Sequence, residues 1–221
     1  MEVIAIRTAR VIVHLPTEEI NPFGKAVYPD LTRALVERYG FMAFPQTLGD
    51  YDEEKGIVFG MGRWKDISID RLSLFGNGIA VDTRSSTKDS EEIINEGLLW
   101  MVERFGLTFK PEMMNRKGYL SELVVHCDKP LNALNPRLAA FANTLTDQLH
   151  KVAYQSLPLV FETTGIALGF DSLNTKFTFS PFRYERLVDV PLSENKFYAG
   201  APLPTNTHIE LLELFEGLFS D

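Results

Sequence analysis

Runs of apolar residues predict a strand over residues 2–15, rich in Val and Ile and ended by Pro16. Residues 16–28 carry Pro and Gly breakers and form a loop. Pro29-Asp30 then opens a helix with Leu31, Ala34 and Leu35 on one face, and Gly40 stops it. A strand is expected over 41–48, held at a sheet edge by Pro45, and an acidic turn over 51–55. Residues 56–62 give a glycine-rich strand. Residues 66–75 alternate with Ile67 and Ile69 in one phase and Leu72 and Leu74 in the other. That slip at Asp70-Arg71 predicts a β-bulge. Gly76-Asn77-Gly78 signals a hairpin, since both residue types tolerate positive φ, and 79–84 is its return strand. Asp89 with Glu92 has the spacing of a capping box. The helix after it carries Ile94, Leu98, Met101, Val102 and Phe105 on one stripe up to Gly106.

Residues 107–118 connect to a second pass. A strand over 120–127 is followed by a helix that Asn135 caps and Pro136 opens. Its stripe of Leu138, Phe141, Leu145, Leu149 and Val152 predicts a core-facing helix. Strands are expected over 159–170, within 176–190 around Pro181, and over 197–201. Thr207 with Glu210 suggests a capping box for a last helix bearing Leu211, Leu212, Phe215 and Leu218.

Four echoes recur in the same order. His14 ends an apolar strand matched by the one ending at His126, and Gly56-Ile57 is matched by Gly165-Ile166. Asp70-Arg71-Leu72 is matched by Glu185-Arg186-Leu187, and Leu98-Leu99 by Leu211-Leu212, all at offsets of 109 to 115. The reading is an α+β chain written twice, residues 1–110 and 119–221, related by an approximate twofold and sharing one continuous sheet. Each copy runs β-α-β-β-β-β-α, with short turns that favour an antiparallel sheet and helices on one face. This element order resembles the duplicated saddle of the TATA-box-binding protein and its structural relatives. The resemblance is one of topology and transfers no function.

Charge narrows the partners. Net charge is -8, and residues 1–110 and 111–221 each carry -4. Nucleic-acid affinity rests on neutralising phosphates, so this balance argues against DNA or RNA, including the minor-groove binding of the saddle family. The single cysteine, Cys127, excludes an internal disulfide and suits a reducing compartment. Arg7 and Arg10 interrupt the first apolar run, and no run approaches the ~18 residues of a membrane helix. A soluble, cytoplasmic protein is expected.

Candidate chemistry is sparse. His14 and His126 end matched strands and could share a metal or act as a titratable pair. Arg71 and Arg186 each follow an acid on matched strands and could grip an anion or a partner carboxylate. Cys127 beside His126 points to the opposite face of a strand, which suits a small buried hydrophobe better than a nucleophile. Asp30, Glu53 and Lys55 fit a permissive PD…ExK nuclease spacing in which acids would hold a metal, although a helix cap and a solvated turn explain the same residues. The acidic turn lacks the ordered spacing of a calcium loop, and no dinucleotide or P-loop fingerprint occurs. No cofactor is implied. The expectation is a non-catalytic module that binds a protein partner or itself. The alternatives are a sensor holding a small molecule between sheet and helices, and the metal-dependent nuclease.

Overall fold

A computed structural model describes residues 1–152, 159–171, 173 and 179–219. The strands are β1 (Glu2–His14), β2 (Ile57–Trp64), β3 (Ile67–Phe75), β4 (Gly78–Thr83), β5 (Lys117–His126), β6 (Gly165–Leu168), β7 (Phe182–Arg186) and β8 (Lys196–Ala201). The helices are α1 (Thr17–Ile20), α2 (Tyr28–Tyr39), α3 (Thr87–Phe105), α4 (Pro136–Val152) and α5 (Thr205–Gly217). The fold is α+β, with an antiparallel sheet in the order β2-β3-β4-β1-β5-β8-β7-β6. Among the described residues, and setting aside the single turn of α1, the order β-α-β-β-β-α occurs twice, one strand fewer in each pass than the sequence suggested. In the first pass the missing strand is residues 41–48. Only Ala43 pairs, as an isolated bridge to Gly60 at the outer edge of β2. Pro45 lacks a donor, and Thr47 and Asp50 close a capping box that turns the chain into a short 3-10 helix. In the second pass residues 176–178 of the expected 176–190 strands lie outside the described residues.

The chain divides into two compact units. One holds Ile6–Glu122 and Pro202–Asn206; the other holds Met1–Ala5, Leu123–Ala201 and Thr207–Asp221. In the first, Val11, Val13, Ile57, Phe59, Ile69, Leu72, Leu74, Ile79 and Val81 form one apolar cluster with Leu31, Leu35 and Tyr39 of α2 and Ile93, Ile94 and Leu98 of α3. Both helices therefore lie on one face of β2-β3-β4-β1. The bulge falls where the phase slips, because the β3–β4 register shifts between Ile69 and Arg71. Gly40 and Gly106 end α2 and α3 in the left-handed region, at φ 62 and 66.

In the second unit, Tyr184 of β7 stacks on Phe197 of β8 at 4.6 Å and meets Phe215 of α5 at 5.0 Å. Helix α4 does not bury its predicted stripe. Ala142 and Thr146 are buried, while Leu138, Phe141, Leu145 and Val152 are exposed. The Thr146 hydroxyl accepts from Phe161 N at 2.9 Å, which fixes the inner face of the helix on a polar anchor.

The hairpin at Gly76-Asn77 pairs Phe75 with Gly78, as its sequence suggested. Neither loop residue takes positive φ. Their carbonyls instead receive Thr17 N at 2.9 Å and Leu15 N at 3.0 Å, which hold the loop in another turn geometry. Gly78 is needed for space, since a Cβ there would lie 2.6 Å from the backbone oxygen of Val13. Gly78→Ala should cost about 1–3 kcal/mol by overpacking, read as a lower thermal midpoint. An unchanged midpoint would show that the strands can part without penalty.

Candidate functional site

The face of β2-β3-β4-β1 opposite α2 and α3 is where the first unit gathers charge. Alternation along β1 turns Arg10, Ile12 and His14 away from Val11 and Val13. The bulge in β3 places Arg71, Ser73 and Phe75 on that face while Leu72 and Leu74 stay in the core. Register then sets Arg71, Asp82 and Arg10 side by side across three strands. Arg10 grips Asp82 with both prongs, Nε to Oδ1 at 2.6 Å and Nη2 to Oδ2 at 2.7 Å. Asp82 is only 8% exposed, and its hydrogen bonds to Arg10 hold that guanidinium above its ordinary pKa against the cost of burial. Arg71 is exposed and donates Nε to Ser73 Oγ at 3.0 Å. These residues, with Ile12, Phe75 and Ala80, line a shallow hollow of about 150 Å³.

His14 is exposed at the end of β1, its backbone N–H donating to Arg116 O at 2.7 Å. His126 ends β5 and lies 3.4 Å from Asp128 through Nε2. Arg186 differs from Arg71 in setting. It faces Phe197 in register, holds its guanidinium 4.6 Å over that ring, and donates to Leu192 O at 2.5 Å and Asn195 Oδ1 at 3.2 Å. It clamps the β7–β8 loop on the same side as Tyr184. Pairing makes Arg183 the counterpart of Arg71: Arg183 opposes Gly200 as Arg71 opposes Asp82, five residues into β8 and β4 respectively. Cys127 is buried, and its thiol donates to Glu216 Oε1 at 3.8 Å.

The acids of the nuclease reading are engaged separately. Asp30 pairs with Arg33 at 3.6 Å and Lys55 with Asp52 at 2.9 Å. Glu53 lies against Gly76 and beside Tyr28, whose hydroxyl is pushed up to about 12, by burial first and by that carboxylate second. Among the described residues no group of three or more His, Cys, Asp or Glu could hold a metal ion. In the first unit, a space between sheet and helices near Tyr28, Leu31 and Met101 is about 80 Å³, far below the ~300 Å³ where small-molecule sites begin.

A larger groove, about 530 Å³, follows the start of α3. Ser86 caps the helix, accepting from Asp89 N at 3.1 Å, three residues before the start the Asp89 and Glu92 spacing suggested. Thr87 N donates to Thr205 Oγ1 at 3.0 Å, and Thr205 N returns the bond to Thr87 Oγ1 at 2.9 Å, so each threonine serves the other's helix start. On one wall Glu91 takes bonds from Lys117 Nζ at 2.5 Å and Tyr119 Oη at 3.0 Å. Tyr119 is raised above its ordinary pKa, by burial first and the Glu91 carboxylate after it. Burial would lower Lys117, but its bond to Glu91 leaves it raised.

Arg10, Asp82 and this groove are functional candidates that the sequence pattern alone does not single out. A signal for the first was present: Arg10 is the charged residue in phase with Thr8 and Ile12, on the face that Val11 and Val13 leave. Asp82 and the groove depend on pairing between distant segments. No protein-family model matches the chain, and no curated protein matches its sequence. Among the described residues no helix is long and apolar enough to cross a membrane.

Proposed function

We propose that the chain is a non-catalytic binding module that docks an acidic protein surface on the helix-free face of β2-β3-β4-β1. The observation that carries this is Arg71. Its guanidinium is exposed beside the Arg10–Asp82 pair, and among the described residues it bonds through Nε alone, to Ser73. Planar guanidinium N–H groups suit a bidentate carboxylate, and Asp82 already satisfies Arg10. Exposed Ile12 and the partly buried Phe75 supply apolar area around the charges. We take the module to be cytoplasmic, where a buried, unpaired Cys127 is at home.

The test is chemical cross-linking in cells followed by recapture of the partner with purified protein. The same partner should bind the wild-type chain and lose about tenfold or more in affinity for Arg71→Glu. Its on-rate should fall as salt rises. A partner that binds Arg71→Glu as well as wild type, or a chain that stays monomeric and captures nothing sensitive to Arg71, would sink the reading. Arg71→Glu sets a carboxylate opposite Asp82 and should cost up to about 1 kcal/mol, so Arg71→Gln, which adds no like charge, is the control that should melt with the wild type and still lose the partner.

A further inference from the structure

We propose that the groove beside α3 binds a small phosphate ester with a hydroxyl-bearing body, such as a nucleoside or sugar phosphate. Its volume, about 530 Å³, falls within the ~300–1,000 Å³ typical of small-molecule sites. Most polar groups of the lining are spent within the protein. Lys117 and Tyr119 are spent on Glu91, and Thr87 on Thr205. Glu92 faces Lys65 at 3.8 Å. Four groups remain without a hydrogen bond or ion pair to another described residue: the Lys88 ammonium and the carboxamides of Asn95, Asn115 and Asn206.

Lys88 and Asn95 are seven residues apart on α3, two turns along one face, so they stand about 10 Å apart. A matching ligand carries an anionic group at one end and neutral donors and acceptors at the other. Lysine is a compact cation suited to a phosphate, while a carboxamide offers both a donor and an acceptor to hydroxyls or a base edge. Buried Met114 beneath the groove, with Pro111 and Pro204, gives the body an apolar floor. Arg71 lies outside this lining, so the groove and the sheet face stand or fall separately.

Calorimetric titration decides it, with adenosine 5′-monophosphate, glucose 6-phosphate, the two unphosphorylated parents and inorganic phosphate as titrants. One ester should bind with a Kd below ~1 mM and about tenfold tighter than both its parent and inorganic phosphate. Lys88→Ala should weaken that ester about tenfold, and Asn95→Ala should weaken it while leaving inorganic phosphate unaffected. Both side chains are solvent-accessible, so the variants should melt with the wild type. The proposal is overturned if neither ester outbinds its parent and inorganic phosphate, or if Lys88→Ala binds the preferred ester as well as the wild type.

Discussion

Phe59→Ala should lower the stability of the first unit by about 3–5 kcal/mol. Phe59 lies on β2 opposite Leu72, is fully buried, and packs its ring 5.4 Å from Phe41, which in turn meets Tyr39 of α2 at 5.7 Å. Truncation removes the ring from water-free surroundings and leaves a cavity. The cavity cannot close by a simple shift of Phe41, because that ring already crowds Gly62. A Cβ at Gly62 would sit 2.4 Å from it. Against a typical total of about 5–15 kcal/mol, such a loss is a large fraction. The urea midpoint should fall with little change in slope. Phe141→Ala is the contrast: 64% exposed on α4, it should stay within about 0.5 kcal/mol. If the two variants lose equal stability, this account of the core is wrong.

That contrast also marks what the sequence could and could not convey. Phe59 lies in an apolar strand and Phe141 on a helical stripe, and such patterns report an element without reporting which side the chain will cover. In α4 the strip that the fold covers is Ala142 and Thr146, where Thr146 Oγ1 accepts from Phe161 N. Signals that act within a few residues were legible. The glycines that end α2 and α3 and the bulge at Asp70-Arg71 fell where local chemistry put them, and the turn at 76–77 fell in its place without the positive φ that had marked it. Helix starts were harder, since two capping patterns overlap at 86–92 and Ser86 wins the first turn of α3. For α5 the start is Thr205 rather than Thr207, because Thr205 has Thr87 as a reciprocal partner.

The site shows the same division. The echoes in sequence fell on matching elements: β1 and β5, β2 and β6, β3 and β7, α3 and α5. Their fine alignment did not follow strand pairing. β4 and β8, and likewise α3 and α5, begin 118 residues apart, whereas the leucine pairs are 113 apart. Leu98 is buried where Leu211 is exposed, and Leu99 is exposed where Leu212 is buried. In the same way Arg186 stands opposite Phe197 as Leu74 stands opposite Ile79, on the core side. A short match in composition cannot resolve a shift that flips a side chain to the other face. Arg71 was visible through the echo of Asp70-Arg71-Leu72 in Glu185-Arg186-Leu187, and the phase slip at the same place marked the bulge that exposes it. Asp82, its neighbour across the ladder, leaves no such mark.

Alkaline pH should unfold the chain through its tyrosines. Tyr184 is held well above the ordinary range, by burial first and by Cys127 next, and Tyr28 is pushed up to about 12 by burial and Glu53. Tyr39 and Tyr119 are raised as well, again by burial before any other cause. A folded state that raises a phenol's pKa favours the neutral form. The stability this contributes is complete below the unfolded value of about 10 and is lost as pH climbs through the folded values. Between about pH 10 and 12 each of these groups therefore draws the equilibrium toward the unfolded chain, where it ionises freely. The tyrosinate absorbance of these residues should appear late and together with the loss of circular dichroism, rather than before it. Tyr184→Phe, which cannot ionise and keeps the ring on Phe197, should move the alkaline midpoint upward. Full tyrosinate absorbance near pH 10 with the dichroism still native, or a midpoint indifferent to Tyr184→Phe, would refute the burial on which the argument rests.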